Sequence, residues 1–346
     1  MMKQSRVFWI LSFVFVAAVI IGGFQSVARA EGGTIELTYA NFPPATTFPC
    51  IQMDRWVKEV EKRTNGKVKV KTFPGGTLLE AKGMFDGVVA GGADIGCLAT
   101  AYQPGRFKTI EVMDLPIGFP NAAVASAVMW DLFEKYNPES LKKVKVLTLF
   151  TCAPAQILAK KSIKNLEELN GVKLRAAGTG VEWMKLLGAA PVGMPQSDVP
   201  EALQKGVIQG NVTSMDVLKD MKYAEYCPFV TGCNLWVVPF AVVMNKAKWD
   251  SLPDDVKKVF DDLRKEQAIW TGKYVDGHAA AALEWSKKEH KVEFIALSPE
   301  ERAKWMVKVS PLVDAYVKMM DAAKLPGKQI VEDAKKLTEK YSKELK

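Results

Sequence analysis

The chain has 346 residues, 48% of them hydrophobic and 25% charged. This is the balance of an ordinary globular protein and excludes a disordered, collagen-like or multi-span membrane chain. Its length can bury one large core or two medium ones, and its formal charge is +8, from 47 basic and 39 acidic side chains.

Lys3 and Arg6 precede an apolar run from Val7 to Phe24, which closes on Ala28-Arg29-Ala30. A charged start, an apolar middle and a small-x-small end form the pattern of a cleaved secretory signal peptide, residues 1–30. An uncleaved anchor is the rival, and either reading puts the body outside the cytoplasm. Cleavage removes Lys3, Arg6 and Arg29 and no acid, so 44 basic minus 39 acidic side chains leaves +5. That is no nucleic-acid footprint.

Ile35, Leu37 and Tyr39 alternate as in a strand, which feeds the loop starting Asn41-Phe-Pro-Pro. Met53, Trp56, Val57 and Val60 follow at helical spacing up to Asn65-Gly66. Val68 to Thr72 is a second strand, Met84 to Val89 a second helix, and Ile95 to Leu98 a third strand. Such alternation predicts a parallel α/β lobe. The pattern restarts at Lys143 to Phe150, a strand, with a helix at Ser162 to Leu169, a strand at Gly171 to Ala176 and a helix at Gly180 to Leu187. A short strand at Val192 to Met194, a helix at Asp198 to Lys205 and a last edge strand at Gln209 to Thr213 complete it. Ser251-Leu-Pro-Asp-Asp then opens a long helix reaching His290, and more helix is predicted over Ser298 to Met320 and from Gly327 onward. No Gly/Ser linker separates the two runs, so they are expected to be lobes joined through shared strands, with a ligand cleft between them.

The chemistry of enzymes is sparse. His278 and His290 both fall on the long helix, where solvent-facing positions are expected, and no H-E-x-x-H, G-x-S-x-G or Walker pattern occurs. The five cysteines, Cys50, Cys97, Cys152, Cys227 and Cys233, leave at least one unpaired. Cys227 with Cys233 is the first pair to test, and a Cys50–Cys97 bridge and plain buried thiols stand beside it. Arg175 is more informative. It ends a strand-like stretch ahead of small residues and a helix, where an α/β sheet faces its crevice, and a guanidinium there suits a carboxylate. A surface ion pair is the plain alternative.

The runs SIKNLEELNGVKLRAAG, LLGAAPVGMPQSDVPEALQKGVIQG and MNKAKWDSLPDDVKKVF, with the earlier FPGGTLLEAKGMFDGVVAGGADIG, resemble the periplasmic solute-binding proteins of TRAP transporters, the DctP family. The resemblance implies a type II-like, two-lobed α/β fold with hinge strands and a long helix spanning both lobes. The lobes implied are 31–153 plus 241–280 and 154–240 plus 281–346. It also implies a periplasmic monomer that needs no metal or cofactor, performs no catalysis, closes over an organic anion and delivers it to membrane-embedded permease subunits. An exported enzyme and a sensory ligand-binding subunit are the alternatives on the same scaffold.

By that resemblance Arg175 holds the ligand carboxylate, while Asn41, Gln196 and Thr213 match ligand-contacting positions. Gln156, Tyr102, Trp183, Trp236 and Ala99 complete the candidate set. Ala155 stands where the sialic-acid branch has a second arginine, and Ala99 where it has an acid. One cation and several nearby aromatics, Phe42 and Phe48 among them, favour a monocarboxylate with an apolar or aromatic body. A small sulfonate, a hydroxy acid and a C4-dicarboxylate are its competitors.

Overall fold

The computed structural model describes residues 33–345, so the expected signal peptide lies outside the described residues. The first lobe begins with β1 (Ile35–Asn41), α1 (Phe48–Arg63), β2 (Val68–Phe73), α2 (Met84–Val89) and β3 (Ile95–Ala99). Next come α3 (Ala122–Tyr136), absent from the sequence reading, and β4 (Val144–Thr151). Helix α3 is buried nearly all round, so it lacks the polar face that makes a helix legible in a sequence.

The chain then enters the second lobe through β5 (Gln156–Ala159), α4 (Leu166–Leu169), β6 (Lys173–Ala176), α5 (Gly180–Leu186), β7 (Ala190–Gly193), α6 (Val199–Gln204) and β8 (Gly210–Thr213). After α7 (Val217–Asp220) and β9 (Phe229–Gly232) it returns to the first sheet as β10 (Pro239–Asn245). The sheets have the orders β2-β1-β3-β10-β4 and, with β11 (Glu293–Ala296), β11-β9-β5-β8-β6-β7. Strand β8 is therefore not the edge expected but an interior strand between β5 and β6.

Two segments cross between the sheets side by side. Cys152 N–H donates to the Val238 carbonyl at 3.0 Å, Ala155 N–H to Trp236 at 2.7 Å, and Leu235 N–H back to Ala155 at 3.0 Å. These ladder bonds make residues 152–155 and 235–238 a paired hinge. After α8 (Lys246–Ser251), the third crossing is α9 (Asp254–His290), 37 residues and so about 55 Å long. It packs on α1, α3 and β4 in the first lobe and on α7 in the second. At Gly272 the start of α3 presses directly on α9, where an added Cβ would stand 2.6 Å from Ala123 Cα. One turn on, the Asp276 carboxylate accepts the N–H groups of Ala122 and Ala123 at 2.7 and 2.9 Å, satisfying two of the free donors at the start of α3.

The C-terminal region departs from expectation twice. Pro311 splits the predicted helix into α10 (Pro299–Val309) and α11 (Pro311–Ala322), because proline supplies no amide donor to the turn before it. Helix α12 (Gly327–Glu344) packs on α3, so this end of 281–346 lies with the first lobe rather than the second. The apolar face of α12, with Ile330, Val331 and Ala334 buried, covers the flank of α3 that would otherwise be exposed. All five cysteines are buried and free, and Cys227 and Cys233 belong to different core clusters, which explains why they do not bridge.

Candidate functional site

Arg175 lies on β6 opposite Asn211 of β8 and Val192 of β7. Its side chain is held from three directions within the second lobe. Nε donates to the Met194 carbonyl at 2.8 Å, and Nη1 to Gln196 Oε1 at 2.6 Å and Asn211 Oδ1 at 3.4 Å. Only 3% of the residue is exposed, yet among the described residues no carboxylate forms a salt bridge with it. A buried guanidinium without a counter-ion pays for desolvation with neutral partners alone. It is set to receive an anion, and its Nη2 takes part in no hydrogen bond among the described residues.

The guanidinium faces a cavity between the lobes with about 550 Å³ of empty space, part of it open to solvent. The first lobe contributes Phe42, Phe48, Tyr102 and Phe240, with Pro43, Thr47 and Pro49 from the loop after β1. Phe42 and Phe240 are parallel at 6.3 Å, and Phe48 meets Phe240 edge-on at 5.4 Å. The hinge adds Cys152 and Val238. The second lobe adds Gln196, Thr213, Ser214 and Asp216, with Ala177, Val217 and Met221.

Of the nine residues expected at the site, Arg175, Gln196, Thr213 and Tyr102 line the cavity and the other five do not. Asn41 is buried and donates to the Pro49 carbonyl at 2.7 Å, fixing the loop behind the wall. Gln156 accepts the N–H groups of Cys233 and Asn234 at 2.7 and 2.9 Å, so it shapes the turn after β9. The Trp183 indole donates to the Asp114 carbonyl at 2.8 Å. Trp236 packs on Trp183 and over Gly180, where a Cβ would come within 2.2 Å of its ring. Ala99 is buried and pairs with Phe240 in the sheet.

Ser214, Asp216, Met221, Val238 and Phe240 were missed. Ser214 and Asp216 directly follow Thr213 at the end of β8, a sheet terminus of the same kind that drew notice to Arg175. Burial raises the Asp216 carboxyl to about 6, against which the Ser214 hydroxyl and His278 act. His278 is not solvent-facing as expected. Its Nε2 meets Asp220 Oδ2 at 2.8 Å, and that hydrogen bond raises the imidazole above its ordinary value.

Hydrogen bonds also join the two lobes beside the cavity. Gln196 N–H donates to Tyr102 Oη at 3.0 Å, and Thr179 Oγ1 to Asp114 Oδ2 at 3.1 Å. With the Trp183–Asp114 contact, these tie the second lobe to the first. Two lobes on paired hinge strands, closed over a buried cation, define a solute-binding protein that grips its ligand between lobes.

Comparison with known proteins gives the particular family. The family description "Bacterial extracellular solute-binding protein, family 7", DctP, matches residues 39–319. A TRAP periplasmic solute binding protein from Desulfovibrio salexigens is 48% identical, with TM-score 0.82 over 89% of this chain and 97% of its own. It was solved as an open complex with the C-terminus of a symmetry mate in its ligand-binding site. A TRAP solute binding protein from Rhodoferax ferrireducens, in complex with copurified benzoate, is 28% identical with TM-score 0.87 over 90% of this chain and 100% of its own. The C4-dicarboxylate-binding periplasmic protein DctP of Rhodobacter capsulatus is 27% identical over 76% of this chain and 80% of its own. The chain belongs to the DctP family of TRAP solute-binding proteins.

Proposed function

We propose that the chain captures an organic monocarboxylate with an apolar or aromatic body and delivers it, chemically unchanged, to the membrane subunits of a TRAP transporter. It acts in the periplasm as a monomer once residues 1–30 are removed. The observation that carries the ligand class is a single buried guanidinium without a counter-ion, facing a wall built from Phe42, Phe48 and Phe240. A carboxylate accepts from such a fork in charge-assisted bonds, and the rings bury a flat apolar body. A second ligand carboxylate would have no cation to meet and would pay the cost of uncompensated burial.

Calorimetry on the mature chain with benzoate, aliphatic monocarboxylates, C4-dicarboxylates and sulfonates tests this reading. Benzoate-like acids are expected to bind best, and Arg175→Ala to weaken them by roughly 100-fold or more, the range for stranding a buried charge. Tighter binding of a dicarboxylate, or unchanged affinity in Arg175→Ala, would overturn it.

A further inference from the structure

The cavity contains a second ionisable group that the capture of a simple monocarboxylate leaves unused. Asp216 is 1% exposed and lines the same space as Arg175, yet the two form no ion pair among the described residues. Its Oδ1 accepts from the Ser214 hydroxyl, and the carboxylate also accepts from its own backbone N–H, which leaves part of its acceptor capacity without a side-chain donor among the described residues. Asp220, which does not line the cavity, is engaged by His278 at 2.8 Å, so Asp216 feels the charge of that imidazole but forms no hydrogen bond with it among the described residues.

We infer that Asp216 is a specificity-determining residue, and that the ligand carries a hydrogen-bond donor, a hydroxyl or an amine, on its body away from the carboxylate. This rests on the monocarboxylate reading above and adds the second point of attachment. A buried carboxylate with an open lone pair is costly to seal from water and accepts a strong bond from a suitable donor. An acid without that donor seals Asp216 with acceptor sites left unfilled, and this asymmetry discriminates more than the bond itself attracts. The same group orients the ligand. Its charge repels a carboxylate, which therefore goes to Arg175, and a second carboxylate at the Asp216 end would meet like charge.

The test is a ratio of affinities measured by calorimetry. Benzoate is compared with the hydroxy-, amino- and methoxybenzoates, and butyrate with hydroxybutyrate, on the wild type, Asp216→Ala and Asp216→Asn. At least one hydroxy or amino isomer is expected to bind roughly tenfold or more tighter than its parent, the range for a hydrogen bond to a charged group. The methoxy compounds, which accept but cannot donate, are expected to show no such gain. In Asp216→Ala the ratio is expected to collapse toward unity whatever happens to the absolute affinities. Thermal melts of the ligand-free variants show whether each is folded, and the isosteric Asn variant serves if Ala is not.

The hydroxyl and amine arms separate the two donor types. Ratios near unity for every pair in the wild type, or a ratio that survives in Asp216→Ala, would overturn the inference while leaving the monocarboxylate reading standing. A donor preference seen only in the aliphatic pair would uphold Asp216 and overturn the aromatic body. Binding of none of these acids would overturn both.

Discussion

The two walls of the cavity are built on opposite principles. The first-lobe wall is mostly rings, with Phe42, Phe48 and Phe240 packed on one another and the Tyr102 hydroxyl turned to Gln196. The second-lobe wall carries Arg175, Gln196, Thr213, Ser214 and Asp216. Its polar groups are held before any ligand arrives, because Met194, Gln196 and Asn211 all fix Arg175 from within the same lobe. Charge recognition therefore requires only one lobe, and closing the other adds apolar burial and removes water. Closure shifts the population only as far as the ligand prefers the closed form, so the ring wall sets how much that preference depends on the ligand's body.

Removing a ring is the strongest way to break this division after loss of Arg175 itself. Phe240 touches Phe42, Phe48 and Phe150, and Phe240→Ala is expected to weaken benzoate by roughly tenfold. An aliphatic monocarboxylate should lose less, since its anchor at Arg175 is intact. Equal losses for both, measured by calorimetry, would mean that the rings support the fold and not the ligand. Tyr102→Phe is subtler. It keeps the ring and removes only the acceptor for Gln196 N–H between the lobes. A neutral hydrogen bond of about 1 kcal/mol corresponds to a loss of roughly fivefold. This loss should appear as faster release and not slower capture, which stopped-flow tryptophan fluorescence can distinguish.

Much of this was legible in the sequence, and the reasons differ by residue. Arg175 could be found because a strand-ending arginine before small residues is unusual, and the resemblance to TRAP proteins marked the same position. The long helix α9 was legible from its amphipathic spacing, and its start after Pro253 matched expectation closely. Helix α3 was hidden because Ala122 to Trp130 show no polar face to the reader, being wrapped by α9, α12 and β4. At the site, Asn41 and Gln156 were misjudged for a common reason. Asn41, at the end of the first strand, entered through the resemblance and Gln156 as a member of the candidate set, but their amides face backbone groups of neighbouring segments. Asp216 was missed because a single acid after a strand looks like solvated surface until β8 is known to lie inside the sheet.

The smallest effect expected bears on what supports the polar wall. Helix α7 follows Asp216 directly and is tied to α9 by the ion pair between Asp220 and His278, whose imidazole is half-buried, with Asp216 and Lys219 as the other charged groups facing it. The Asp220 hydrogen bond raises the folded-state value of His278 above the ordinary 6.5. The protonated form is thus favoured in the fold, and its contribution is fully present below pH 6.5. It is lost as pH rises through the raised value, since folding there no longer takes up a proton. A partly exposed pair is worth about 1 kcal/mol or less after screening. Wild type and His278→Gln are therefore expected to differ in urea-unfolding stability by that amount near pH 6 and to converge at alkaline pH. A gap that widened with pH would mean that His278 is held neutral and that α7 rests on packing alone. A constant gap would point to the stacking of His278 on Tyr274 rather than to charge. Either result would leave the ring wall untouched, because none of its residues contacts this pair.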